Sequence, residues 1–282
     1  MENKIEGFKH YLSAQGRRNS KQVLLCAKRY GHILQTGNAS ELLTISGFKR
    51  HHAMEALVAL SKYLGCYDQW REIKERYQLK WTTQDSLEIF NSLINSEKDF
   101  SSMMVWLRSV CSKIPDDYAN ILLYATLVGL RPNEVCQSIS LIQTDFDNYL
   151  RRDTMVLEHY KYPAIFIRNS KKAFISIASN QIIQLAKDAN NCGYNALRNY
   201  LKRRGLDMQM GYCRKIFGTY LRINGIEQEV IDLLQGRLPR TVFARHYFRP
   251  DFEQNCKRIT EILKSLQQNI LVDSNLRSAE KL

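Results

Sequence analysis

Three arginines and one tyrosine stand apart from the rest of the chain by position and spacing. Arg131 directly follows an apolar run in LVGLRPNEV, beside Pro132 and Glu134. That is an odd place for an arginine that serves only solubility. Arg214 lies in GYCRKIF, at the front of a helical run, and Arg237 follows Gly236 in IDLLQGRLP. Tyr247 comes in RTVFARHYFRP, and the intervals are 23 residues from 214 to 237 and 10 from 237 to 247. Other cations crowd the same stretches. Arg198, Lys202, Arg203, Arg204, Arg214 and Lys215 are opposed only by Asp207, and Arg237, Arg240, Arg245 and Arg249 have no acid among them. Like charges held this close in a folded domain repel, so the chemistry they suit is capture of an anion. Taken singly, each basic side chain is explained well enough by a solvated helix face, and Tyr247, one of 15 tyrosines, by a packed amphipathic ring.

The elements that must position these residues are mostly helical. The first 81 residues read as four helices joined by short loops. They are KIEGFKHYLSAQG ending at Gly16, SKQVLLCAKRYGHIL with Ser20 as N-cap and Gly37 as stop, FKRHHAMEALVALSKYLG ending at Gly65, and the charged YDQWREIKERYQ. Met54, Leu57, Val58, Leu60, Ser61 and Leu64 fall on or beside one face of the third. WTTQDSLEIF reads as a boundary, because Asp85 and Glu88 have capping-box spacing before a fresh apolar run. A helical domain over residues 1–81 and a second domain over residues 82–282 are therefore expected. In the second, helices over 85–96, 101–113 and 116–128 precede Gly129, and Pro132 opens the next. TMVLEHYKYPAIFIRNSKKAFISIA predicts a hairpin or small sheet around the turn RNSKK. Helices near 180–190, 193–204, 210–223, 227–235 and 251–267 follow, with a loose polar tail from 269. The expected fold class is mainly α with a small antiparallel β-sheet.

Composition narrows the function. Lys plus Arg is 41 against 28 Asp plus Glu, a net of +13. Residues 1–81 carry 14 against 7, so net positive charge there is about three times as dense as in the remainder, with 27 against 21. Lys49, Arg50, Lys62, Arg71, Lys74 and Arg76 lie among its helices, a distribution that suits a module laid against a phosphate backbone. Apolar residues at 44% rule out wholesale disorder. No run approaches the length of a membrane span, and the opening MENKIEGFKH lacks the apolar stretch of a secretory signal. Seven cysteines, with no CxxC pair, argue against disulfides and a thiolate zinc site and for a reducing, cytoplasmic setting. No cofactor or metal is expected.

GLRPNEV resembles the first arginine box of the tyrosine recombinases, the phage and archaeal integrases. IDLLQGRLPRTVFARHY resembles their terminal box, and QGR followed by HY is most similar to integrases of archaeal fuselloviruses and related plasmids. The resemblance covers both parts of the chain and implies a helical core-binding domain followed by a tyrosine-recombinase catalytic domain. It also implies roles. Arg131 and Arg214 clamp the scissile phosphate, Arg237 adds a third cation, and Tyr247 attacks to form a 3′-phosphotyrosine. A lysine on the hairpin, Lys171 or its neighbour Lys172, protonates the departing 5′-oxygen. The residue types fit this chemistry. A phenol replaces a hydroxyl at similar bond energy, so resealing needs no external energy source, and forked guanidiniums match the charge that builds on the nonbridging oxygens.

Two positions depart from the pattern, and one of them is Arg237, which stands where the family usually has His or Trp after the late glycine and so resembles the archaeal viral subgroup. The family's second box usually has His or Lys three residues before its arginine, and here that residue is Gly211, so the helper is either missing or supplied from elsewhere, for example by Lys215. Candidates for DNA contact are Lys49, Arg50, Lys172, Lys202, Arg203, Lys215, Arg240 and His246. The implied partner is double-stranded DNA, with a tetramer when two duplexes are joined, no membrane, and a place in the cytoplasm with the nucleoid. Two other readings of the same boxes are a DNA-binding protein of this fold that has lost cleavage and a type IB topoisomerase.

Overall fold

The structure, a computed structural model, describes residues 2–16, 19–81, 90–91, 94, 99–168, 171–238 and 241–279. The chain divides into two compact units, residues 1–96 and 97–282. The protein is mainly α with one small antiparallel sheet, which lies in the second unit. Among the described residues no helix is long and apolar enough to cross a membrane.

The first unit holds α1 (Glu2–Ala14), α2 (Ser20–Tyr30), α3 (Ile33–Thr36), α4 (Ser40–Thr44), α5 (Gly47–Leu64) and α6 (Tyr67–Arg76). Helical periodicity puts Val23, Ala27 and Tyr30 on one face of α2 and Met54, Leu57 and Leu60 on one face of α5. The two helices pack together, and Phe8, Leu12 and Trp70 complete the core. Leu57 is fully buried; truncating such a side chain to Ala costs about 2–5 kcal/mol. Two expectations change. Ser20 is the first helical residue and Asn19 holds the cap position, without a side-chain bond. The helix expected to run on to Leu34 stops at Tyr30 and restarts as α3, where Gly31 weakens helix propensity. Val58 is only half-buried, and Leu64 is exposed. The expected cap at Asp85 and Glu88 lies outside the described residues.

In the second unit α7 (Phe100–Cys111) is capped by Asp99, whose side chain accepts from the Ser102 N–H at 2.7 Å. Next come α8 (Asp116–Val128) and α9 (Pro132–Thr144). Every residue of α8 from Ile121 to Val128 is buried, so this helix is the centre of the unit. Around it pack α7, α9, α12 (Asn180–Lys187), α14 (Gly211–Ile223) and α17 (Phe252–Ala279). Of the elements between these, α10 (Phe146–Tyr149) precedes the sheet, α11 (Pro163–Phe166) lies within it, α13 (Tyr194–Arg203) follows α12, and α15 (Gln228–Leu234) and α16 (Val242–His246) follow α14. The loose tail expected from residue 269 is instead the continuation of α17 as far as Ala279. Cys256, Ile259, Leu263, Leu266 and Ile270, at alternating steps of three and four, bury its inner face.

The sheet has the order β1 (Leu150–Arg151), β2 (Val156–Leu157), β3 (Ser176–Ile177), all antiparallel, with Leu150 opposite Leu157 and Val156 opposite Ile177. Its strands are shorter than the expected extended runs. After β2 the chain makes a 3₁₀ turn, His159–Lys161, and then α11. Pro163 is the reason: it cannot donate to a ladder but suits the first turn of a helix. The turn in RNSKK does close a hairpin tip. The Arg168 N–H donates to the Lys171 carbonyl at 3.0 Å, the Lys171 N–H donates back at 3.2 Å, and Ile167 bridges Lys172.

A chain of buried polar groups stitches this sheet to α8 and α9. The Tyr124 hydroxyl lies 2.6 Å from Ser138 Oγ, and the Tyr149 hydroxyl lies 2.8 Å from Ser138 Oγ and 2.5 Å from His159 Nδ1. His159 Nε2 lies 2.8 Å from Ser176 Oγ, which donates to the Val128 carbonyl at 3.3 Å. Burial holds His159 neutral, bringing its pKa down to about 3.

Candidate functional site

Val128 ends α8 at a turn that sets the site. Gly129 adopts φ +67°, and a Cβ there would stand 2.3 Å from the Phe217 ring. Only glycine lets α8 end against α14 in this way. Two residues later Arg131 caps α9, with Pro132 in the first turn. Glu134, one turn into α9 and 1% exposed, accepts from the Arg131 N–H at 3.1 Å and from Arg131 Nη1 at 3.1 Å. Glu134 thus both caps its own helix and orients Arg131. Arg131 Nη1 also donates to the Lys172 carbonyl on the hairpin at 2.9 Å.

Arg214, in the first turn of α14, is held by neutral dipoles. Its Nη1 donates to the Gly129 carbonyl at 2.8 Å and its Nη2 to the Gln235 carbonyl at 2.5 Å. Gln235, itself buried, returns a bond from Nε2 to the Arg214 carbonyl at 3.0 Å. No carboxylate pairs with Arg214 among the described residues. Burial first, then repulsion from Arg131 and Arg237, brings its pKa from 12.5 to about 10. The guanidinium stays charged at neutral pH, and its charge has no ionic partner to neutralise it.

Arg237 follows α15 and is more than half exposed; its Nη1 pairs with Asp232 at 2.8 Å. Gly236, at φ +67°, brings this segment onto the hairpin: a Cβ at Gly236 would lie 1.7 Å from the Lys172 carbonyl oxygen. The Lys172 main chain is therefore the meeting point of the Arg131 and Arg237 segments. The fold gathers Arg131, Arg214 and Arg237 from three stretches of sequence. With Arg168, which pairs with Glu134 at 2.9 Å, the cluster holds four cations against Glu134 and Asp232, a net of 4 − 2 = +2. Lys171 is exposed and Lys172 half-buried at its edge, and among the described residues neither side chain is engaged in an ion pair. Such a cluster can hold an anion with several oxygens and steady negative charge that grows on it.

Tyr247 lies just past α16, and 72% of it is exposed. Its N–H donates to the Phe243 carbonyl at 2.8 Å, and its ring stacks on Phe243 at 6.5 Å. The described residues offer its hydroxyl no hydrogen-bond partner. The neighbouring His246 is exposed. Gly211 opens α14 with nothing within 4 Å of a would-be Cβ.

The remaining candidates are placed as follows, each within its own unit. Lys49 is exposed and Arg50 half-buried in the first turns of α5. Lys202 and Arg203 are exposed in the last turn of α13. Beside them Arg204 lies 4.1 Å over the Tyr200 ring, which stacks on Tyr118 at 3.9 Å. Lys215 is exposed, 5.6 Å over Tyr212. Arg240 lies outside the described residues. Three participants escaped the sequence reading. Arg168 was visible in RNSKK as one more turn cation, Gln235 carried no signal beyond its place before Gly236, and the Lys172 carbonyl carried none at all.

The family description "archaeal phage integrase" matches residues 107–254, 148 of the 282 residues. That stretch contains Arg131, Lys171, Lys172, Arg214, Arg237 and Tyr247. A search of curated proteins found no match.

Proposed function

The chain belongs to the archaeal phage integrase family, and from that premise we propose that it cuts and rejoins duplex DNA through a covalent link to Tyr247. The observation that carries this reading is the approach of Arg131 and the Gly236–Arg237 segment to the Lys172 main chain, with Arg214 held beside them on the Gly129 and Gln235 carbonyls and a net positive charge left for an anion. A DNA phosphodiester is the anion that the family acts on. Arg131 and Arg214 hold its nonbridging oxygens, and Arg237 adds charge from the exposed side. The Tyr247 phenol gives up its proton to water as its oxygen reaches the phosphate. It attacks phosphorus, the bond to the 5′-oxygen breaks, and an ammonium from Lys171, or from Lys172 beside it, protonates that oxygen. Reversal by a new 5′-hydroxyl reseals the strand. The basic helical unit over residues 1–81 supplies phosphate contacts along the duplex, as do Lys49, Arg50, Lys202, Arg203, Lys215, Arg240 and His246, so binding weakens steeply with salt. Joining two duplexes calls for four subunits, and the work is done in the cytoplasm where the DNA lies.

The test is a nicked suicide duplex that traps the covalent adduct, with the attached residue mapped by peptide mass. An adduct at Tyr247 that is lost in Tyr247→Phe is expected. Arg131→Ala and Arg214→Ala should each lower adduct formation by about 100-fold or more while keeping most of the DNA affinity in a gel-shift titration. An adduct on another residue, or normal cleavage by either arginine variant, would refute the assignment. Gly211 favours a second reading, a DNA-binding protein of this fold without cleavage; tight binding with no adduct from the unaltered protein would establish it.

A further inference from the structure

Glu134 is a buried carboxylate shared by two guanidiniums from different elements. Arg131 donates to it from the same helix at 3.1 Å, and Arg168 donates from the hairpin at 2.9 Å. Arg168 is also the first residue of the hairpin tip. Its N–H and carbonyl make both main-chain bonds to Lys171 across the turn, and Ile167 before it bridges Lys172. The Lys172 carbonyl in turn accepts from Arg131. These bonds close a ring: Arg131 to Glu134, Glu134 to Arg168, Arg168 to Lys171, and Lys172 back to Arg131. Arg168 is the member that fastens the turn to α9 by its side chain. It is 41% exposed, so its pair with Glu134 gains from Glu134's burial more than from its own.

We propose that Arg168 is a positioning residue which, through Glu134, holds the lysine-bearing turn in register with Arg131. The inference rests on the recombinase reading. In the step concerned the Tyr247 oxygen bonds to phosphorus, the phosphorus–5′-oxygen bond breaks, and a lysine ammonium gives its proton to the 5′-oxygen. Arg168 touches none of the reacting atoms. Its loss leaves Arg131 bound to Glu134 and to the Lys172 carbonyl but removes the tie between Glu134 and the Arg168–Lys171 end of the turn, so the proton donor is misplaced while the phosphate clamp survives.

That selectivity gives the test. Cleavage is compared on two suicide duplexes, one with the natural 5′-bridging oxygen and one with sulfur in its place. A thiolate leaves unaided, since a thiol has a pKa of about 8.5, so sulfur makes the proton donor dispensable. Arg168→Ala is expected to slow the oxygen substrate by about 10- to 100-fold and to cleave the sulfur substrate within about threefold of the unaltered protein. Arg168→Lys should recover part of the oxygen rate. Lys171→Ala and Lys172→Ala on the same pair identify the donor by the same oxygen-specific loss. Equal slowing of both substrates by Arg168→Ala, or slowing of neither, overturns the proposal, and thermal melts of each variant guard against a simple loss of fold. Failure of the unaltered protein on both substrates is a different result, because it removes the recombinase reading itself.

Discussion

Replacing Gly236 by Ala should damage the site through main chain alone. Two costs are legible. At φ +67° a residue with a Cβ bears about 1–2 kcal/mol of strain. The new Cβ would also lie 1.7 Å from the Lys172 carbonyl oxygen, where ordinary contact begins near 3.4 Å, so the two segments must part by 3.4 − 1.7 = 1.7 Å. Arg131 Nη1 sits 2.9 Å from that same oxygen. A shift of this size takes the bond out of range, and a hydrogen bond from a charged group contributes about 1.5–3 kcal/mol. The sum is about 2.5–5 kcal/mol of lost stability, read by urea denaturation. Cleavage of the nicked duplex should fall by about 100-fold, the cost of displacing reacting groups by around an ångström. Gly205→Ala is the control. Gly205 has φ +69° but nothing within 4 Å of its would-be Cβ, so it carries the strain without the clash. If the two variants lose the same stability, or if Gly236→Ala cleaves normally, the close approach is not what orders the site.

Two further outcomes are expected. His159 has its pKa pulled from 6.5 to about 3 by burial, so between these values the unfolded chain takes up a proton that the folded chain refuses. Stability from this group is therefore whole above pH 6.5 and is lost as pH falls, by about 1.4 kcal/mol per unit. His159→Gln lacks that component, and parallel urea-stability curves for the two proteins between pH 7 and 5 would show the histidine to be accessible. Gly211→His fills the family's helper position in open space. It should leave the melting temperature within a few degrees and speed adduct formation, whereas an unchanged rate would mean that another group, Lys215 first among them, already does that work.

The long helices were readable because burial repeats along them at helical spacing, as in α5 and in the inner face of α17. Four-residue helices such as α3 and α10 are too short to show a period, and the helix expected across Gly31 ignored the cost of a glycine in mid-run. The β-region was recognised by composition, but Pro163 turned part of it into helix and shortened the strands. In the candidate site the arginines stood out because charge beside apolar helix ends is unusual. What holds them did not, because the partners of Arg131 and Arg214 are largely carbonyl oxygens at Lys172, Gly129 and Gln235. Main-chain acceptors have no letter in a sequence. Gly129 was read as a helix stop and Gly236 only as the residue before Arg237, and what both also do, allowing two backbones or a backbone and a ring to touch, depends on neighbours far along the chain.

Anchoring Arg214 on peptide dipoles rather than on an acid has a thermodynamic consequence. The unliganded protein stores mutual repulsion among its guanidiniums, and an oxyanion seated between them discharges it. Folding and ligand occupancy are then linked, so that each reinforces the other. Melting points taken in chloride buffer will understate how firmly this half of the molecule is held when a nucleic-acid strand lies across it.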